Sequence, residues 1–252
     1  MNNRYFIELS YRGTNFHGWQ IQENANSVQA ELNRALNLLL KEDISTLGAG
    51  RTDTGVHAKY FIAHFDTARQ DLNDNPSFIY HLNKILPNDI SVKAIRAVKP
   101  ETHARFDAIS RTYHYYMCRD KDPFWQELAW LYHGSLNIDL MQKAADTLFN
   151  YDDFTSFSKV GSDNKTSICK IATAKWEAKD NLLIFEITAD RFLRNMVRAI
   201  VGTLVEVGRE KTSIERFEEI IAAKNRSLAG TSAPAEGLYL THIKYPDSIY
   251  QI

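Results

Sequence analysis

The ten residues from Gly48 to His57, GAGRTDTGVH, contain Asp53-Thr54-Gly55, the tripeptide that carries the carboxylate of aspartic proteases. Such an enzyme needs two carboxylates close enough to share one proton. Here Asp-Thr-Gly occurs once and Asp-Ser-Gly does not occur. Arg51, two residues before Asp53, favours an ionised carboxylate, which is wrong for a shared-proton dyad. A protease reading is therefore poor. A metal site built from Asp53, His57, His64 and Asp66 has suitable ligand types, but no His-x-His or His-Glu-x-x-His spacing accompanies them. Gly48, Gly50 and Gly55 suggest a phosphate cradle, yet the run lacks the Gly-Lys-Ser/Thr ending of a P-loop. That reading stands level with a tight loop in which Asp53 makes an Asx-turn.

A fourth reading makes Asp53 a lone ionised nucleophile, projected from a glycine-freed backbone. One carboxylate suits attack on an electrophilic carbon, or stabilisation of an oxocarbenium ion, without added water. Glycoside hydrolysis normally uses two carboxylates, so a single one fits an isomerisation whose leaving group stays in the pocket. This reading needs a second signal. One is RFLRNMVRAIVGTLVEVGRE, from Arg191 to Glu210, where Phe192, Leu193, Met196, Val197, Ile200 and Val201 make an apolar helical face. Arg191, Arg194 and Arg198 fall on the opposite stripe, with no acid before Glu206. A solvated charged face gives the same pattern, but an all-arginine row suits phosphates or a buried carboxylate. The other signal is HARFDAISRTYHYYMC, which interleaves Arg105, Arg111 and His114 with Phe106, Tyr113, Tyr115 and Tyr116. Basic and aromatic side chains together suit stacking and backbone capture of single-stranded nucleic acid. Half-buried core tyrosines are the competing reading, accepted for Tyr115 and Tyr116. By alternation Arg111 and Tyr113 share one strand face.

The elements that must position these residues can be read from periodicity and caps. Residues 5–11 read as a strand, and Ser27 caps a helix with Val28, Leu32, Ala35, Leu36 and Leu39 on one side. A short strand at 44–47 precedes the glycine run, and strands follow at 59–67 and 90–98, around a helix at 76–86. That order is the split βαβ arrangement. The second half repeats it loosely, with strands at 111–118, 170–178, 182–189 and 237–245 and helices at 138–149, 191–207 and 213–223. The expected fold is α+β, two ferredoxin-like halves (1–105 and 106–252) with mainly antiparallel sheets and an active-site cleft between them.

Composition permits this. The 252 residues are 44% hydrophobic and 24% charged, enough for a sizeable core. The formal net charge of -1 argues against an all-over basic coat but leaves room for a local basic groove. Neither a signal peptide nor a membrane-length apolar run is visible, and Cys118 and Cys169 have no partner at metal or redox spacing, so an intracellular protein is expected.

Taken together, the blocks GWQ (18–20), SVQAELNRAL, GAGRTDTGVHA, HFDT, HARFDA, RTYHYY, DFTSF (153–157), FLRNMVRAIVGTLVEVG and AEGLYL (235–240) resemble the tRNA pseudouridine synthase A family almost from end to end. Two positions depart from the family pattern. Arg12 stands where an aspartate is common, and Lys165-Thr166 where Arg-Thr is common. The resemblance implies that uridines at positions 38, 39 and 40 of the tRNA anticodon stem-loop are isomerised to pseudouridine, with no metal, cofactor or energy source. It also implies a cytoplasmic homodimer with an electropositive cleft. By the same resemblance Asp53 is the catalytic nucleophile and Arg51 positions a flipped nucleotide. Tyr113 stacks on the target base, Arg198 pairs with Asp53, and Arg194 contributes to substrate binding. The rival readings are a non-catalytic RNA-binding protein and a metal-dependent phosphoesterase.

Overall fold

The computed structural model describes residues 3–162 and 165–250. Its fold is α+β, and its contacts cluster into two units. The first unit contains β1 (Asn3–Tyr11), α1 (Val28–Leu40), β2 (Leu47–Gly48), β3 (His57–Thr67), α2 (Pro76–Ile85) and β4 (Ile90–Val98). The strands run β4-β1-β3-β2, each pair antiparallel, which is the split βαβ order. Caps set the helix starts, at Ser27 as expected and at Asn75 in addition. Ser27 accepts a hydrogen bond from the Ala30 N–H and Asn75 from the Phe78 N–H, with Pro76 in the first turn.

Two expectations in this unit are corrected. The strand expected at 44–47 shrinks to Leu47–Gly48. Side chains of α1 take the partners a strand would have supplied: Asn37 accepts from the Ile44 N–H, Asn33 from the Thr46 N–H, and Gln29 donates to the Thr46 carbonyl. β3 alternates only partly because both of its faces are covered, with Phe61 through Phe65 all buried. Phe61 stacks on Trp19 at 4.2 Å between centroids. On the other face His64 meets His103 edge-on at 4.6 Å, so His64 is a buried residue and not one on a polar face.

The second unit contains β5 (Ser110–Cys118), β6 (Trp130–Leu131), α3 (Ile138–Thr147), β7 (Ile171–Lys179), β8 (Leu182–Ala189), α4 (Met196–Gly208) and α5 (Ile214–Ala222). Its sheet runs β5-β8-β7, antiparallel, with β6 added in parallel to the end of β5. α3 packs against α4, α5 and β7. The helix expected at 191–207 starts five residues late, at Met196, because Asn195 adopts the left-handed conformation (φ 66°) and breaks the run. All of α4 is buried except Arg198 and Glu206, so it is a core helix and has no solvated stripe. Arg191 and Arg194 consequently lie outside it.

The last strand, β9 (Leu238–Lys244), begins in the second unit, and from Leu240 onward the chain clusters with the first, where β9 runs beside β3. No helix among the described residues is long and apolar enough to cross a membrane.

Candidate active site

In the first unit, the segment from Gly13 to Trp19 grips the segment from Thr52 to His57. The Trp19 N–H donates to the Thr52 carbonyl at 3.3 Å, and the Tyr11 and Thr52 hydroxyls share a buried hydrogen bond of 2.9 Å. The buried His57 accepts the Gly13 N–H on Nδ1 at 2.9 Å, which leaves the ring proton on Nε2. Gly18 has φ +89°, and a Cβ there would lie 2.2 Å from the Thr52 carbonyl oxygen. Only glycine allows so close an approach in that conformation. The Val56 N–H closes the turn onto the Asp53 carbonyl at 3.1 Å. The result is a loop anchored at both ends, through buried Thr52 and buried Val56 and His57, with half-buried Asp53 and exposed Arg51 and Thr54 at its surface. Gly48 lies against the Trp19 indole, so it does not help line an open phosphate cradle.

The remaining members of the metal reading are used elsewhere. His64 accepts the Ala104 N–H on Nδ1 at 3.1 Å, and burial, aided by Arg4 and His103, pushes its pKa down to about 4. Asp66 receives two bonds of 2.7 Å from the Arg4 guanidinium, which hold its carboxyl below the usual range. Among the described residues no group of three or more His, Cys, Asp or Glu is arranged to hold an ion.

In the second unit Arg198 lies in the first turn of α4 and is half-buried. Its Nε donates to the Ala233 carbonyl at 2.7 Å, and the Ala233 N–H returns a bond of 2.9 Å to the Arg198 carbonyl. The same loop is fixed at three further points. Asn195 donates to the Ser232 hydroxyl at 2.6 Å, and the Gly230 N–H donates to the Thr203 hydroxyl at 3.0 Å. A Cβ on Gly202 would sit 1.8 Å from the Thr231 carbonyl oxygen, so residues 229–234 lie directly on the α4 backbone. The arginine expected on an open stripe is therefore tied to the main chain of a neighbouring loop. Arg194 is an exposed residue of the segment before α4, and its carbonyl accepts the Lys159 N–H at 3.0 Å.

Tyr113, half-buried on β5 opposite Ile187, meets Phe192 in a T-shaped contact at 5.1 Å between centroids and 88° between planes. Phe192 had been assigned to the apolar face of a helix. Because α4 starts after it, its ring packs on the tyrosine instead. Arg111, two residues before Tyr113, donates to the Asp190 carbonyl at 2.9 Å. Tyr115 is fully buried and donates to the Pro234 carbonyl at 2.9 Å, as expected for a core tyrosine, and burial raises its pKa well above the ordinary value. At the two departures from the family pattern, Arg12 Nε donates to the Thr14 hydroxyl at 3.2 Å and Lys165 is exposed.

Sequence reasoning missed the residues that hold these groups in place: Tyr11, Gly13 and Gly18 around the Asp53 loop, and Asn195 with Ala233 around Arg198. The quoted motif GWQ and the glycine in RGTNF were the available signals for the first set. No local pattern points to the second.

A family model for tRNA pseudouridine synthase matches residues 144–246. A tRNA pseudouridine synthase A of Bacteroides thetaiotaomicron is 52% identical over 250 residues, covering 98% of this chain and 92% of the relative. One from Bacteroides fragilis is 52% identical over 249 residues, covering 98% of each chain. One from Acetivibrio thermocellus is 41% identical over 239 residues, covering 94% of this chain and 97% of its own. The family model takes in Arg198 but neither Asp53 nor Tyr113, whereas the relatives align with nearly the whole chain.

Proposed function

The chain belongs to the tRNA pseudouridine synthase A family of isomerases, and on that premise we propose that it converts uridines 38, 39 and 40 of the tRNA anticodon stem-loop to pseudouridine, with Asp53 as nucleophile. The observation that best supports this reading is the anchored loop. Thr52 and His57 are buried and bonded on either side of a half-buried aspartate, and exposed Arg51 stands two residues away. Such a loop presents one carboxylate at small reorganisation cost.

A stacked uridine must leave the helix before its glycosidic bond can be reached, at a cost of a few kcal/mol. Arg51 positions the flipped nucleotide, and stacking on Tyr113 recovers about 1–3 kcal/mol. Asp53 assists cleavage of C1′–N1, either by adding to C1′ or by taking a sugar proton. The freed uracil turns and bonds through C5 to C1′, the C5 proton leaves, and N1 takes up a proton. Nothing is gained or lost overall, so the reaction consumes no oxidant, reductant or energy source. Holding both fragments in one pocket raises their effective concentration by orders of magnitude. In this reading Arg198 is the guanidinium that pairs with Asp53, Arg194 binds substrate, and the enzyme acts as a cytoplasmic homodimer.

The test uses unmodified tRNA tritiated at uracil C5, with wild type and Asp53→Asn, with and without EDTA. The proposal expects tritium release by wild type, none by the variant, and indifference to chelator. Binding without release would instead favour an RNA-binding module. Chelator-sensitive strand cleavage would favour a phosphoesterase.

A further inference from the structure

Phe106 is 74% exposed, an unusual position for a phenylalanine, and it has two ring neighbours. The His103 ring lies 4.3 Å away at 38°, and the Arg105 guanidinium is 5.7 Å from the Phe106 centroid. These residues belong to a turn with little freedom. The Asp107 carboxylate accepts the His103 N–H at 2.7 Å, and the His103 ring accepts the Arg105 N–H at 3.0 Å. Ala104, between them, is buried and bonded at both backbone groups: its N–H donates to His64 and its carbonyl accepts the Tyr245 hydroxyl at 2.5 Å. Arg4 adds a bond to the Thr102 carbonyl at 3.0 Å. The fold thus fixes the backbone on either side of an outward-facing aromatic ring that makes little use of burial.

From this geometry we infer that Phe106, with Arg105 and His103, is a stacking platform for a second base of the RNA substrate, one that is bound without being modified. The inference rests on the tRNA reading above. An exposed apolar ring beside a guanidinium matches the two faces of a nucleotide: the base stacks on the ring while the cation meets its π-system or its phosphate. Aromatic and arginine side chains also meet at protein interfaces, so it is the tRNA substrate of the proposed function that selects RNA as the occupant here. Because every base has a π-face, the platform adds affinity and register without reading sequence. Phe106 would therefore act as a positioning residue that grips the RNA away from the glycosidic bond.

The test compares wild type with Phe106→Ala and Phe106→Trp, using unmodified tRNA for kinetics and a short single-stranded RNA for equilibrium binding. Phe106→Ala is expected to raise KM and the tRNA Kd about tenfold with kcat changed less than about threefold, and to weaken the short RNA. Phe106→Trp is expected to restore both, and circular dichroism should show all three proteins folded. Wild-type KM and Kd in the alanine variant would overturn the platform. So would a dimer-to-monomer shift on gel filtration with RNA affinity intact, which would assign the ring to a second copy of the chain. Failure of the enzymatic reading is separable: wild type would then release no tritium, while short-RNA binding would still report on Phe106.

Discussion

Arg198 and Ala233 are joined twice, by the arginine Nε on the alanine carbonyl at 2.7 Å and by the alanine N–H on the arginine carbonyl at 2.9 Å. This double link fixes both the backbone and the side-chain direction of the first cation in α4. A guanidinium donates from Nε and from two terminal nitrogens held in one plane, a fork that an ammonium cannot copy. Arg198→Lys is therefore expected to lower kcat at least tenfold while tRNA KM changes less than threefold. Steady-state kinetics on unmodified tRNA checks this. Near-normal kcat, or a loss confined to binding, would rule out Arg198 as the residue that orders Asp53.

Tyr113 and Phe192 make a similar test possible on the stacking side. The edge-to-face contact fixes the tyrosine ring, and stacking draws on the ring rather than the hydroxyl, so Tyr113→Phe should preserve stacking and keep KM within about threefold. Tyr113→Ala should lose roughly 1–3 kcal/mol of RNA binding. If the phenylalanine variant bound tRNA normally but no longer turned it over, the hydroxyl would have a chemical role that stacking does not explain.

Gly18 controls the loop that carries Asp53. With φ at +89° and a Cβ position 2.2 Å from the Thr52 carbonyl, Gly18→Ala must move one segment against the other. The expected cost is about 2 kcal/mol or more in urea denaturation, with activity falling further than stability because Asp53 shifts. A variant as stable and active as wild type would mean that the grip on Thr52 is dispensable.

His64 predicts a pH dependence. Its folded pKa is depressed to about 4, while the unfolded side chain titrates near its ordinary value of about 6.5. The folded state therefore binds fewer protons between these values. Stability from this residue is fully present above about 6.5 and declines as pH falls towards 4, by an amount on the order of 3 kcal/mol. Urea titrations at several pH values should show this slope flattened in His64→Gln, which keeps an acceptor for the Ala104 N–H. An unchanged slope would assign the acid sensitivity to other groups.

Much of the fold was legible in the sequence because it is locally encoded. Ser27 announces a helix by the hydrogen bond it makes three residues on, and β4 spans the 90–98 expected from alternation. The loop motif was legible too, since Arg51, Asp53 and His57 are neighbours in the chain. What the chain order concealed depends on partners far along it. β2 shortened because asparagines of α1 satisfied its backbone. α4 started late at a single left-handed asparagine whose side chain is tied to Ser232, 37 residues on.

By itself, then, the sequence determined the family and the α+β class, and it singled out Asp53 as the carboxylate to test. Those rest on residue types and short spacings that any conformation of the chain would carry. The tertiary structure decided how that carboxylate is held, where Arg198 is tied and which ring faces Tyr113. Gly18 meets Thr52, Ala233 meets Arg198 and Ala104 meets His64 only when segments separated by more than thirty residues come together, and hydrogen-bond geometry and steric exclusion at those contacts have no trace in local periodicity.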